Sequence, residues 1–163
     1  MPVRPLSVAR MIQGIDHLNV VVTDMDRSLK FYCGVLGFAK TKEAQLSGEW
    51  IERIVGLKAV RAHALFVEAP RGGPRIELLK YEAPTGVALA ENSRANTIGL
   101  RHFALRVSDI VAMVAKLRAA GVEVFSDPVL VPSGVVEFEA GARKTLVYFL
   151  DPDGVIIELA EYK

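Results

Sequence analysis

The chain has 163 residues, 51% of them hydrophobic and 24% charged, with a formal net charge of +1. That length serves one domain with a proper core or two very small ones, in the balance of an ordinary soluble globular protein. The near-neutral charge and the lack of any basic run argue against nucleic acid as a partner, no apolar run reaches membrane-spanning length, and the single cysteine, Cys33, excludes an internal disulfide.

Residues 1–13 read as an N-terminal extension in which Arg4 and Arg10 enclose no long apolar core. That is not a secretory signal, and a cytoplasmic address is the expectation. Ile15–Val22 reads as a strand rich in β-branched residues. Thr23 or Asp24 then caps a helix with Leu29, Tyr32, Cys33 and Leu36 on one face, stopped by Gly37. Three further strands are predicted near Phe38–Ala44, Val60–Glu68 and Arg75–Tyr81. Between the first two lies an insertion, Gly48–Leu57, that looks like a short amphipathic helix. A linker, placed at 83–98 between modules spanning 14–82 and 99–163, carries Pro84 and Gly86. The insertion and the linker could each roof a pocket or simply cover a sheet edge.

After the linker the order begins again. A strand around His102 leads to a helix capped by Ser108 or Asp109, with Ile110, Val111, Val114 and Leu117 inward and Gly121 as its stop. Strands follow near Val122–Phe125, Thr145–Leu150 and Val155–Tyr162, and Val135–Glu139 could extend one of them. The match is residue by residue. Ile15-Asp16-His17-Leu18-Asn19-Val20-Val21-Val22-Thr23-Asp24 aligns with Leu100-Arg101-His102-Phe103-Ala104-Leu105-Arg106-Val107-Ser108-Asp109. Arg75-Ile76-Glu77-Leu78-Leu79-Lys80-Tyr81 aligns with Ile156-Ile157-Glu158-Leu159-Ala160-Glu161-Tyr162, each after a turn whose last residue, Gly73 or Gly154, suits positive φ. The expected fold is therefore α+β, a tandem of βαβββ modules.

The repeat duplicates two oddities. A glutamate inside an apolar strand is costly to bury unless it has a partner, and this occurs at both Glu77 and Glu158, each matched by a strand histidine, His17 or His102. A lone strand histidine is ordinarily a surface or satisfied residue. Two imidazoles and two carboxylates in equivalent places ask for one explanation, and a divalent ion such as zinc, nickel, cobalt, manganese or ferrous iron supplies it. His63 has no counterpart and reads as structural or exposed. Glu49 and Glu52 are reserve acid–base candidates, while Arg53, Lys58, Arg71, Arg143 and Lys144 could each hold a carboxylate or phosphate tail.

These segments, with Phe31-Tyr32-Cys33-Gly34-Val35-Leu36-Gly37-Phe38 and Tyr148-Phe149-Leu150-Asp151-Pro152-Asp153-Gly154, resemble the vicinal oxygen chelate superfamily. That superfamily includes glyoxalase I, methylmalonyl-CoA epimerase, extradiol dioxygenases, and fosfomycin and bleomycin resistance proteins. The resemblance implies sheets curled around a cleft, with one divalent metal held by His17, Glu77, His102 and Glu158, and chains paired as a homodimer. It also implies a small-molecule substrate and an isomerase or lyase, epimerase-like or glyoxalase I-like. Such an enzyme moves a proton next to a carbonyl through a metal-stabilised enolate or enediolate, with Glu158 as base and Glu77 facing the other side of the carbon. The filled ligand set stands against the alternatives, a ring-cleaving dioxygenase with three ligands or a non-catalytic drug-binding protein. Those epimerases often carry glutamine at the place of Glu77, where glyoxalase I carries glutamate.

Overall fold

The first helix of each half starts where an aspartate in extended backbone accepts a hydrogen bond from an amide of the first turn. Asp24 takes the Arg27 amide and Asp109 the Ala112 amide, both at 2.9 Å. Such amides have no partner within the helix, so the caps are the aspartates rather than Thr23 and Ser108. The computed structural model describes residues 12–136, 138 and 141–163, and the predicted extension lies, apart from its last two residues, outside that range.

The order is β1 (His17–Val21), α1 (Met25–Leu29) running on as a π-helical segment (Lys30–Val35), β2 (Ala39–Ser47), α2 (Glu49–Val55), β3 (Arg61–Glu68) and β4 (Arg75–Ala83). The second half has β5 (His102–Arg106), α3 (Ile110–Ala119), β6 (Val129–Leu130), β7 (Lys144–Leu150) and β8 (Ile156–Tyr162). The strands form two four-stranded sheets, β1-β4-β3-β2 and β5-β8-β7-β6. In each, the first and last strands of the half pair in parallel and the others antiparallel. This is the α+β tandem that the repeat predicts. Among the described residues no helix is long and apolar enough to cross a membrane.

Three local readings change. The inward face of the first helix is Met25, Ser28, Phe31 and Tyr32, whereas Leu29, Cys33 and Leu36 are only partly buried. The Leu36 amide reaches back to the Phe31 carbonyl at 3.0 Å, a π turn that widens the helix and lets two adjacent aromatics face inward. On α3, Ile110, Val114 and Leu117 are buried but Val111 is exposed, because one residue of helix rotates about 100° off the stripe. Val122–Phe125 makes only an isolated bridge, Val124 to Phe149, and the edge strand is Val129–Leu130 instead. Pro128 lacks the amide that would continue the ladder between them. Val135 and Val136 lie in a turn and bend, and Glu137 and Glu139 fall outside the described residues.

One core serves both sheets. Val20, Leu65, Val67, Ile76 and Leu78 from the first meet Val147, Phe149, Ile157 and Leu159 from the second, with Phe31, Tyr32 and Leu117 of the helical segments among them. Phe31 packs on Phe149 at 6.3 Å between ring centroids; truncating such a buried phenylalanine to alanine typically costs about 3–5 kcal/mol. The halves are also clasped by a turn. Asp153 accepts from the Thr23 amide, the Thr23 hydroxyl and Arg27. Buried Asp151 accepts from the amides of Asp153 and Val155 on one oxygen and from the Tyr32 hydroxyl, at 3.0 Å, on the other. Burial pushes the Asp151 carboxyl above its ordinary range, against these hydrogen bonds, and pushes the Tyr32 phenol far up.

Tyr32→Phe should therefore destabilise the chain by about 1–3 kcal/mol, since it leaves a buried carboxylate oxygen unpaired. The check is a lower urea midpoint at unchanged slope. An unchanged midpoint would show that this clasp contributes nothing.

Candidate metal centre

Strand side chains alternate between faces, so the residues that fill the core from β1, β4, β5 and β8 leave their neighbours on the opposite face. On that outer face of the first sheet stand His17, Asn19, Glu77 and Phe66; on that of the second stand His102, Glu158 and Tyr148. The parallel registers are equivalent. Asn19 lies opposite Glu77 and Ala104 opposite Glu158, so each histidine sits one same-face step before its glutamate's partner. Each glutamate leans back along the strand to its histidine. His17 Nε2 lies 3.4 Å from Glu77 Oε2, and His102 Nε2 lies 3.3 Å from Glu158 Oε2. An aromatic ring opposite each glutamate walls the imidazole, Phe66 at 5.6 Å and Tyr148 at 4.9 Å between centroids.

The spacing fits two ligands of one ion. With bonds of about 2.1 Å from each donor, a bite of this length subtends roughly 105° at the metal, within the range that zinc and related ions accept. The donors are also chemically apt, one imidazole and one carboxylate in each half. The side chains of Glu77 and Glu158 are 17% and 5% exposed against 38% and 37% for the histidines, so the carboxylates form the floor and the imidazoles the rim.

The two pairs are not one site within a chain. Among the described residues, no group of three or more His, Cys, Asp or Glu side chains is gathered closely enough to hold an ion. The reason is the shared core: both sheets give it their inner faces, so both histidine–glutamate faces turn away from it.

The surroundings of the pairs differ. His17 Nδ1 bonds Asp16 at 2.7 Å, and Arg75, opposite His17 in the ladder, holds the same carboxylate. The His17 bond, and then Arg75, keep Asp16 below the usual carboxylate range. A carboxylate on Nδ1 leaves Nε2 as the free donor, the arrangement that orients metal-ligating imidazoles. Asn19 adds a hydrogen bond to Glu77 Oε2 at 2.8 Å. In the second half the repeat puts Arg101 at the place of Asp16 and Ile156 at that of Arg75. There the partner is Lys144, whose Nζ lies 2.5 Å from Glu158 Oε1. Burial pulls the Lys144 amine down, but Glu158 and Tyr162 outweigh it and hold the ammonium above its ordinary value. Burial, with the charge of Glu158, raises the Tyr148 phenol.

The remaining candidates separate. α2 packs Ile51 and Val55 on Ala62, Ala64 and Leu79, so the Gly48–Leu57 insertion covers the outer face that carries Glu77. Exposed Glu49 and half-buried Glu52 ride on it. His63 points to the other face and pairs with Glu43 at 2.7 Å. The linker fastens to the Asp151–Gly154 turn through Asn92, which donates to the Asp153 carbonyl. Arg53, Lys58, Arg71 and Arg143 are exposed, and only Lys144 reaches a carboxylate of the pairs. Asp16, Asn19, Arg75 and Arg106 were not singled out from the sequence. Asp16 adjoins His17, but a neighbour in a strand normally points to the opposite face, and only the strand end lets it turn back.

Comparison with known proteins gives a consistent result. A family model described as "Glyoxalase/Bleomycin resistance protein/Dioxygenase superfamily" matches residues 14–159. The uncharacterised protein YaeR of Escherichia coli is 28% identical over 92% of this chain and 97% of its own. A protein of Synechocystis described as a probable lactoylglutathione lyase is 29% identical over 89% and 92%. Among solved structures, a glyoxalase family protein from Bacillus cereus superposes with a TM-score of 0.77 at 27% identity, covering 93% of this chain and 95% of that one.

Asp16→Asn should weaken capture of a divalent ion by the first pair about 10- to 100-fold, the usual loss when a carboxylate behind a ligating imidazole is removed. Competition against a chromophoric chelator reads this. An unchanged affinity would reduce the Arg75–Asp16–His17 chain to a surface contact.

Proposed function

The chain belongs to the glyoxalase/bleomycin resistance protein/dioxygenase superfamily, and on that premise we propose that it is a divalent-metal-dependent isomerase or lyase that moves a proton next to a carbonyl. The observation that carries this reading is the pair of equivalent bites, His17–Glu77 and His102–Glu158, at 3.4 and 3.3 Å. A bound ion would supply Lewis-acid stabilisation of negative charge developing on a substrate oxygen. Glu158 is the base that takes the proton from the carbon, and Glu77 serves the opposite side of it. A carboxylate that both neighbours the ion and faces substrate can release one contact to accept that proton. Phe66 and Tyr148 each wall one side of an imidazole. The Synechocystis relative supports a glyoxalase-type lyase within this class.

The metal centre in this reading is completed by a second copy of the chain. The two pairs face away from a common core, and their faces expose apolar groups: Val21 at 47% beside the first, Phe125 at 44% and Val129 at 54% beside the second. A two-fold dimer would set the first face of one copy on the second face of the other, giving two centres with both carboxylates in each. Two carboxylates balance a divalent charge, so the penalty of burying them falls away.

Elemental analysis should find one divalent ion per chain, lost on Glu77→Ala or His102→Ala. Mixing a His17→Ala/Glu77→Ala chain with a His102→Ala/Glu158→Ala chain should restore one intact centre per mixed dimer. A centre built within one chain would give none. The metal-loaded protein should exchange the α-proton of a hemithioacetal or acyl-CoA substrate with deuterated water, and Glu158→Gln should slow this about 10²- to 10⁴-fold, the usual worth of a positioned base. A metal-loaded protein that exchanges no such proton across a panel of both substrate types would end the catalytic reading.

A further inference from the structure

The outer faces of the two sheets have diverged at two equivalent places. Counting back along the strands from Phe66 and Tyr148 sets Ala62 against Lys144. Counting on from His17 and His102 sets Val21 against Arg106. The fold requires neither cation, since its sister half fills both positions with apolar residues. A lysine buried on a strand face is costly to desolvate, yet the Lys144 side chain is only 16% exposed. Arg106 Cζ stacks 4.7 Å from the Tyr162 ring centre, and Lys144 Nζ stands 5.8 Å from the same ring. Both cations thus collect at one end of the His102–Glu158 face. Beside Lys144 opens a hollow of about 370 Å³ lined also by Arg143, Phe138 and Pro132, with the Phe138 ring 5.6 Å from that of Tyr162. In the first half the matching end is closed by Ile51 and Val55 of α2 over Ala62 and Leu79.

We propose that Lys144 and Arg106 form an oxyanion-binding subsite, which takes a carboxylate or phosphate group of the substrate beside the metal-facing end of Glu158. The subsite rests on the metal reading in one respect only. In the chain as it stands, Glu158 occupies the Lys144 ammonium, and committing Glu158 elsewhere frees that ammonium for a ligand. The substrate class is then a carbonyl compound with an anionic tail on the side of the second sheet. Charge-assisted bonds from a lysine and an arginine are the strong kind, and a half-buried ammonium is little screened by salt.

The test uses inorganic phosphate and malonate as probes, titrated calorimetrically into the metal-free full chain. Glu158→Gln frees Lys144 without any metal, and it should bind one of the two anions at least about tenfold more tightly than the wild type. Adding Lys144→Ala to it should remove that gain. Arg106→Val, which installs the sister half's residue at an exposed position, should weaken the binding while leaving the circular dichroism unchanged. Tighter malonate binding assigns a carboxylate tail and tighter phosphate binding a phosphate one; either supports the subsite. Equal anion affinity in the wild type, Glu158→Gln and the double variant would overturn it. If Glu158→Gln does not fold, zinc-loaded wild type against zinc-loaded Arg106→Val makes the same comparison, and equal affinities there overturn it as well. The metal reading is judged separately, by ion content of the wild type.

Discussion

The parallel pairing of the first and last strands in each half is the constraint from which the rest follows. It fixes which residue of β4 or β8 lies beside each histidine, and so places a carboxylate oxygen 3.3–3.4 Å from each Nε2. A slip of one residue would send Glu77 or Glu158 into the core and expose Leu78 or Leu159. The apolar neighbours therefore hold the register that the polar pair needs. Parallel strands also need a crossover, and α1 with its π-helical extension, and α3, supply it.

Packing of those crossovers decides where the pairs point. Because the inner faces of both sheets close on one core around Phe31, Tyr32, Leu117 and Phe149, the histidine–glutamate faces look outward. The Asp151–Gly154 turn, bound to Tyr32, Thr23 and Arg27, holds that arrangement. A chain built this way presents two histidine–glutamate pairs with exposed apolar groups beside them, which is the physical ground for the proposal of a centre shared between copies.

Duplication left the histidine–glutamate pairs alike and let their surroundings part. The first half sets an anion behind its imidazole, Asp16 held by Arg75, and roofs its face with apolar α2. The second sets cations beside its carboxylate, Lys144 and Arg106. Brought together, such walls would enclose an ion between an apolar side and a cationic one. In the proposed centre, that asymmetry would orient a substrate.

The sequence by itself determined the duplicated βαβββ order, the caps to within one residue, and the four residues that form the pairs, because these depend on local periodicity and on a repeat visible in the chain. It missed the inward turn of Phe31, since a π turn breaks the helical period that the reading assumed. It extended a strand over Val122–Phe125 that only bridges β7. It left Lys144 unranked among five cations and passed over Asp16 and Arg106, because which cation meets a carboxylate depends on cross-strand register and side-chain direction rather than on spacing. Tertiary structure alone decided that the four side chains stand as two separate pairs. A repeat records which residues are equivalent, but the direction in which two equivalent faces look is set by the core that both sheets share.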